Sequence, residues 1–441
     1  MAGIVWSRSS WGREMSGLAR GRSRAKEAAL FFIISLLFFV SLTTFDPFVA
    51  SYAASLGIPA AMIGTVVGIT GLASAFARLP LGIASGFVTR RKPFIQAGFA
   101  LTIICWTAAW LAPGPATLLI GKLSNGFAGA VWVIYTVMFA SLFAARDGAK
   151  AMALISTATP LGSLAGSTIG GLVIHAGGYS AGFAVAVFAA LLALALTFFL
   201  REEETPASGP VFDRQTLRRQ CTDRRLWAIS LLGIVAQMTM YGTRDTFTPL
   251  MAERLGAGPI AVSWLANTHL ALFALSTALC PWLFRRLGLV RTGVVGFAAQ
   301  GAAIVLMPAA NALPALFALQ AAAGVAYGMA FTYLMSIVLD CARPQEKTTR
   351  MGFFQSMYSL GVFAGPILLG LLVQGATEAA GFIAWGLLSA AGAVLVRYSL
   401  PAPAQQGGAE MSAAASSVRL SSEYTDRRGR KGEGFRAMEH H

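Results

Sequence analysis

Charge is scarce in this sequence. Only 12% of its 441 residues are charged, against about a quarter in a soluble domain, while 56% are hydrophobic. Most of the chain is thereby excluded from a water-soluble fold and belongs to a lipid-embedded one. The 4 cysteines, Cys105, Cys221, Cys280 and Cys341, are scattered without ligand spacing, which excludes a metal site and a disulfide framework. A Walker-type phosphate loop is lacking, since Gly121-Lys122 is followed by Leu123 within an apolar run, so no nucleotide partner is expected. Neither H-E-x-x-H nor a Ser/His/Asp-like constellation occurs in the apolar segments, which argues against an enzyme. Asn-x-Ser/Thr acceptors are absent too, and the Ala- and Gly-rich segments suit a bacterial inner membrane. The net charge of +15 needs no nucleic-acid partner, because retention of basic residues beside an anionic inner leaflet explains it.

Twelve apolar runs are long enough to cross about 30 Å of hydrocarbon. They extend over residues 30–53, 59–88, 93–111, 115–144, 151–173, 179–200, 226–252, 259–284, 292–309, 314–339, 351–373 and 379–396. An all-α membrane protein of twelve helices in two six-helix bundles is predicted. With the N-terminus inside, about thirty basic residues fall on cytoplasmic segments and Arg254 alone in an outer loop, which places both termini in the cytoplasm. Arg20, Arg22, Arg24 and Lys26 precede the first run, but its length exceeds a cleavable signal and it lacks a small-residue cleavage pattern. The expected organisation is a cytoplasmic segment 1–27, a bundle 28–200, a linker 201–225, a second bundle 226–398 and a tail 399–441. The first and last of these are too polar to fold alone. The linker, with Glu202, Glu203 and Glu204 before Arg214, Arg218, Arg219, Arg224 and Arg225, would let the bundles rock or would lie as an amphipathic helix on the inner surface.

The two bundles are copies. Thr44, Asp46, Phe48, Ala53, Leu56 and Gly57 recur at one constant offset as Thr243, Asp245, Phe247, Ala252, Leu255 and Gly256, and Gly162, Gly166 and Gly171 recur as Gly361, Gly365 and Gly370. Internal duplication of long apolar segments is an architecture of secondary transporters.

After the second run, Gly82, Arg91 and Lys92 resemble part of the G-x-x-x-D-R-x-G-x-R-R motif of the major facilitator superfamily, with Gly86 and Thr89 at the acidic and second glycine positions. Pro281, Arg285, Arg286, Gly288 and Arg291 echo it in the second half, again without its acid. Lys122, Asn125, Gly126 and Gly129 resemble that family's R-x-x-Q-G motif. Gly162, Gly166, Ser167, Gly170 and Gly171 resemble the G-x-x-x-G-P-x-x-G-G motif of its drug:proton antiporters, and Gly361, Gly365, Pro366 and Gly370 repeat the pattern. The resemblance covers nearly the whole chain. It implies alternating access between two bundles, a proton gradient as energy source without a cofactor, and a latch that, with its acids missing, is weaker or built otherwise. Small residues on successive turns also serve close helix packing, and Pro366 permits bending.

Ionisable residues within hydrocarbon are costly and mark functional sites. Here they are Asp46, Arg78, Lys122, Arg244, Asp245 and His269, with His175 near an outer end. Asp46 and Lys122 each lie roughly 10 Å below the outer ends of their helices, and the resemblance places both helices along the central cavity, so the two are expected to meet. The repeat sets Asp245 and Gln320 at the matching level of the other half, where the cation has become an amide. A desolvated carboxylate keeps its proton more readily when no cation faces it, so Asp245 is the expected proton carrier and Asp46, held by Lys122, the residue of substrate recognition. Arg244 adjoins Asp245 but falls on a different helical face. Asn125, Tyr135, Gln237, Tyr241, His269, Gln320, Tyr327, Tyr333, Gln355 and Tyr358, with Trp132, are expected to furnish an amphipathic cavity. Arg78, followed by Pro80, is expected to gate or pack.

These readings converge on a monomeric, proton-coupled exporter of small amphipathic or metabolite molecules. An importer of a small organic anion is the alternative, favoured if Arg78, Lys122 and Arg244 together capture a carboxylate. A non-transporting receptor or membrane-embedded enzyme fits less well.

Overall fold

A backbone in hydrocarbon has no water to satisfy its polar groups, so each apolar run must close its own hydrogen bonds as a helix. A computed structural model describes residues 8–143, 148–201, 214–340 and 347–399. The acidic stretch Glu202 to Glu204, Cys341 and the tail lie outside the described residues. Apart from short turns, the described residues are helical.

The first span joins α1 (Arg8–Thr43) to α2 (Val49–Ser55) through a 3-10 turn at Asp46–Phe48; α3 (Ala60–Phe87), α4 (Lys92–Leu111) and α5 (Pro115–Ser141) follow. The helix α6 (Gly148–Phe198) is one stretch by hydrogen bonding, yet Gly178 sits at φ 70° and ψ −174° within it. A 51-residue helix would measure roughly 75 Å, more than twice the hydrocarbon thickness. It is therefore two spans folded at Gly178, and among the described residues the spans number twelve, as predicted. After the short α7 (Arg214–Thr222), the seventh span joins α8 (Arg224–Gly242) to α9 (Thr248–Arg254) through a π turn at Thr243–Phe247. It is followed by α10 (Pro259–Leu287), α11 (Leu289–Leu306), α12 (Leu313–Asp340), α13 (Lys347–Gly375) and α14 (Glu378–Ser399).

One expectation about the polar segments changes, and for the linker a helix is one of the two alternatives stated above. The helix begins at Arg8, so part of the segment expected to stay unfolded extends α1; elongating an existing helix avoids the cost of nucleation. Part of the linker is the helix α7, which packs on α13.

Within the first half α1 packs on α6 and α5 on α3 and α4; within the second, α8 packs on α13 and α12 on α10 and α11. The halves meet along two seams, α3 on α13 and α6 on α10. The end of the bundle that bears the turns at 56–59, 112–114, 255–258 and 376–377 is termed distal, and the basic end proximal.

Glycines build both the halves and the distal closure. A Cβ at Gly162 would meet Phe39 and the Leu36 carbonyl, and one at Gly166 the α1 backbone at Val40. Gly170 lies against the Thr44 carbonyl, and Gly361 and Gly365 abut the α8 backbone at Ile234 and Met238. The last glycine of each set turns to the opposite half: Gly171 meets Ser263 and Pro259, and its repeat partner Gly370 meets Ala60 and Ala61. Ala61 also donates its N–H to Gln374 Oε1 at 3.2 Å, and the distal ends of both seams are closed.

Candidate functional site

The site begins where two helices break. Pro47 lacks an N–H and cannot continue α1, while the Thr43 and Thr44 hydroxyls donate back to the Phe39 and Val40 carbonyls at 2.7 Å. In the second half no proline occupies the matching position. There the Thr246 hydroxyl donates to the Tyr241 carbonyl five residues back at 2.9 Å, which suits the widened π turn, a form frequent at functional sites. The two breaks touch each other across the halves.

Each break presents its acid to a cation. Lys122 Nζ on α5 donates to Asp46 Oδ1 at 2.7 Å; its side chain is 6% exposed, that of Asp46 40%. Arg244 Nη1 lies 2.6 Å from Asp245 Oδ1. This corrects the expectation that Asp245 lacks a cation: the long Arg244 arm folds back along its own π turn, and its Nη2 reaches the Ala266 carbonyl on α10 at 3.4 Å. Gln320, at the position matching Lys122, bonds instead to His269, with Oε1 3.0 Å from Nδ1. Asp245 feels the charges of Asp46 and Lys122 as well as Arg244, so the two pairs form one electrostatic group.

An aromatic and amide wall from the second half adjoins it. Tyr327 donates to Gln237 Oε1 at 2.9 Å and stacks on Phe331 at 5.4 Å, which in turn meets Tyr358 edge-on at 5.7 Å. Arg78 of the first half donates to the Tyr358 hydroxyl at 3.2 Å and lies 3.5 Å from Gln355 Oε1. Tyr241 lies within electrostatic reach of both acids.

Other expected members sit elsewhere. Tyr135 is buried between Phe31, Phe38 and Trp132, and Tyr333 is buried over Gly293. Both rings pack within their own half rather than line a cavity. Asn125 accepts from Trp106 Nε1 at 2.8 Å and lies 3.4 Å from the Leu42 carbonyl, tying three helices together. Gly126 seats against α3 at Thr70.

Motif residues at the proximal face serve helix ends. Arg91 occupies the N-cap position of α4 without a side-chain cap, and Lys92 Nζ donates to the Phe198 and Leu200 carbonyls at 3.2 and 3.0 Å, a cation at a helix C-terminus. Gly82 lies within α3; Gly288, at φ 86°, makes the turn between α10 and α11, where Arg286 covers Trp282 and Arg291 is exposed. Pro366 stays within α13, its carbonyl against Gly64 of α3.

Phe331, Thr246 and the pair Arg350 and Asp223 were not anticipated. Phe331 follows Tyr327 by one helical turn, a spacing visible in the sequence; the others gave no local signal. Among the described residues no three His, Cys, Asp or Glu side chains converge to hold a metal ion.

The sequence profile of the Major Facilitator Superfamily matches residues 31–258 and 231–431. The chain belongs to that superfamily. It is a multi-pass membrane transporter rather than an enzyme, as the resemblance implied. Among its curated relatives, the Staphyloferrin B transporter of Staphylococcus aureus is 24% identical over 69% of this chain and 74% of its own length. The inner membrane transport protein YajR of Escherichia coli is 25% identical over 78% and 76%. The nucleoside transporter NupG, as its D323A mutant, superposes with a TM-score of 0.71 at 15% identity, over 84% of this chain and 99% of that one. A bacterial homolog of the human lysosomal transporter Spinster, inward-facing and unoccupied, gives 0.69 at 15%, over 85% and 94%. These likenesses to solved structures establish the superfamily fold.

Proposed function

We propose that this protein is a proton-coupled exporter of small amphipathic or metabolite molecules, of the drug:proton antiporter kind, in a bacterial inner membrane with both termini cytoplasmic. One observation carries the reading: repeat-related acids, each bound to a cation, sit on touching helix breaks beneath a closed distal seam. A carboxylate in such a site holds either a proton or its cation, so protonation of Asp46 or Asp245 frees Lys122 or Arg244 and redistributes charge as the halves rock. Asp46, the more open of the two acids, meets the solute, while Asp245, paired with Arg244 but the more buried, carries the proton. The Tyr327, Phe331 and Tyr358 wall with Gln237 and Gln355 suits a planar or amphipathic solute with a few polar groups. Relatives named for a siderophore and for nucleosides are consistent with that class.

A second reading rests on Arg78, whose bonds go to neutral Gln355 and Tyr358. Such a cation beside the aromatic wall favours capture of a small organic anion, and with it import. One assay tests both. In liposomes with an imposed pH gradient and a panel of cationic, neutral and anionic solutes, export by antiport requires proton release evoked by one solute, whereas import requires proton and solute to enter together. Solute movement indifferent to the gradient would overturn both.

A further inference from the structure

The two seams between the halves differ. Along α3 and α13 contact runs from Ala61 and Gln374 at the distal end, through Gly64, Gly68 and Gly71 against the α13 backbone, to Arg78 and Tyr358. Along α6 and α10 the distal turns close by Gly171 on Ser263 and by Asn267 Nδ2, which donates to Thr168 Oγ1 at 2.8 Å across the halves. Outside that bond lies an open groove of 580 Å³, lined by Leu164, Thr168 and Ile169 from the first half and Trp264, Asn267 and Leu272 from the second.

The groove faces hydrocarbon. At 100° per residue, Leu161, Ala165 and Leu172 share one side of α6 while Ser163 and Ser167 occupy another, and Leu161, Leu172, Trp264 and Leu275 are all more than half exposed. It spans roughly 8 to 20 Å below the distal helix ends, inside the apolar core of a bilayer. Water has too few polar partners there to fill it, because the Thr168 and Thr268 hydroxyls and Asn267 Nδ2 bond within the protein, and Asn267 Oδ1, which has no partner, is buried out of water's reach.

We infer that this groove is a hydrocarbon-chain site, in which one acyl chain of a membrane lipid seats between the halves and holds the distal gate closed. Its walls come from both halves, so the site exists only while the α6 and α10 seam is closed as here. A ligand that binds one of two conformations shifts the population toward it. On the opposite seam Gly64, Gly68 and Gly71 pack directly against the α13 backbone, so the control is assigned to the α6 and α10 seam. The inference does not depend on what the protein carries or on proton coupling.

The test reads gate position rather than transport. Spin labels at the repeat-related distal positions Ala112→Cys and Asn311→Cys, in a chain with Cys221→Ser and Cys341→Ser, report the separation of the halves. The protein is placed in nanodiscs of dioleoyl lipid or of diphytanoyl lipid with the same headgroup, whose methyl-branched chains are too wide for the groove. The closed, short-distance population is expected to fall at least twofold in the branched lipid. Ala165→Leu with Ala271→Leu, at exposed positions that narrow the groove without entering a packed core, is expected to stay closed in both lipids. Equal populations of the parent chain in the two lipids, or an unchanged lipid response in the filled variant, would overturn the site. Closure restored in branched lipid by a short-chain amphiphile would assign the groove to a solute and overturn the acyl-chain assignment.

Discussion

The two halves keep the same acid and supply its cation differently. Asp46 draws on Lys122, from a separate helix, whereas Asp245 draws on Arg244, its own chain neighbour. Where the second half has Arg244, the first has Phe45, stacked on Phe183 at 4.0 Å. Where the first has Lys122, the second has Gln320 bonded to His269. The duplicated feature is thus the carboxylate on a broken helix, and each half has found its counter-charge independently. The consequence is mechanical: a shift of α1 against α5 loosens the first pair, whereas the second depends on the π turn that brings Arg244 to Asp245.

The largest effects should come from the first pair. Asp46→Asn strands Lys122, whose side chain is 6% exposed, while Lys122→Met strands Asp46, which is 40% exposed. Breaking a buried pair costs about 3–5 kcal/mol because one charge is left uncompensated, and the cost is smaller where cavity water reaches the survivor. Asp46→Asn is therefore expected to lower the melting temperature more than Lys122→Met, both to abolish pH-driven uptake into inverted vesicles, and the double variant to regain stability without coupling. Coupled transport at normal rate by Asp46→Asn would remove that residue from the mechanism.

The second pair allows the comparison to be rebuilt. Arg244→Phe gives the second half the first half's residue and leaves Asp245 without its cation; a loss of tenfold or more in pH-driven transport is expected, equivalent to at least about 1.4 kcal/mol. Adding Gln320→Lys installs the cation at the position used by Lys122 and should recover part of that loss. A folded double variant no better than Arg244→Phe would show that the halves' cation positions are not interchangeable.

Much of this was legible in the sequence because it depends on spacing. Twelve spans follow from run length, and the meeting of Asp46 with Lys122 follows from shared depth within superfamily geometry. The Arg244 and Asp245 pair was not legible, since adjacent residues of a regular helix diverge and only the π turn lets them join. Tyr135 and Tyr333 read as cavity rings because an apolar helix gives no period by which to tell an interior face from a cavity face. Arg350 and Asp223 lie far apart in sequence, and only the docking of α7 on α13 unites them.

A smaller contrast separates the two distal glycines. A Cβ at Gly370 would lie 2.5 Å from the Ala60 carbonyl oxygen, a backbone atom that cannot turn aside, whereas one at Gly171 would press mainly on the Ser263 side chain, with its Cβ at 2.8 Å. Overpacking costs roughly 1–3 kcal/mol when neighbours are fixed. Gly370→Ala is expected to hold the distal gate ajar and slow transport severalfold, with Gly171→Ala milder. Spin-label distances across the distal face check this, and a larger effect at Gly171 would reverse the assignment of rigid and yielding seams.

The smallest effect concerns the proximal end of the second half, where the halves differ again. Asp223 caps α8, accepting from the Arg225 and Leu226 N–H groups at 2.9 and 3.2 Å, and Arg350 of α13 donates to its Oδ2 at 2.6 Å; the repeat-related positions in the first half are Arg24 and Ala151. Burial opposes the charge on Asp223, but the hydrogen bond and charge of Arg350 and the two amide donors outweigh it and hold the carboxyl below its ordinary value. A carboxyl depressed in the folded state stabilises above its unfolded pKa, about 3.9, and that stability is lost as pH falls through the folded value. Asp223→Asn keeps an oxygen for the cap and removes only the charge facing Arg350. It is expected to lower stability by about 1–2 kcal/mol near neutrality, with the gap from the parent protein steady down to about pH 5 and closing below about pH 4. Melting temperatures of both proteins across that range measure it. A gap that persists at low pH would assign the loss to the cap rather than to the ion pair.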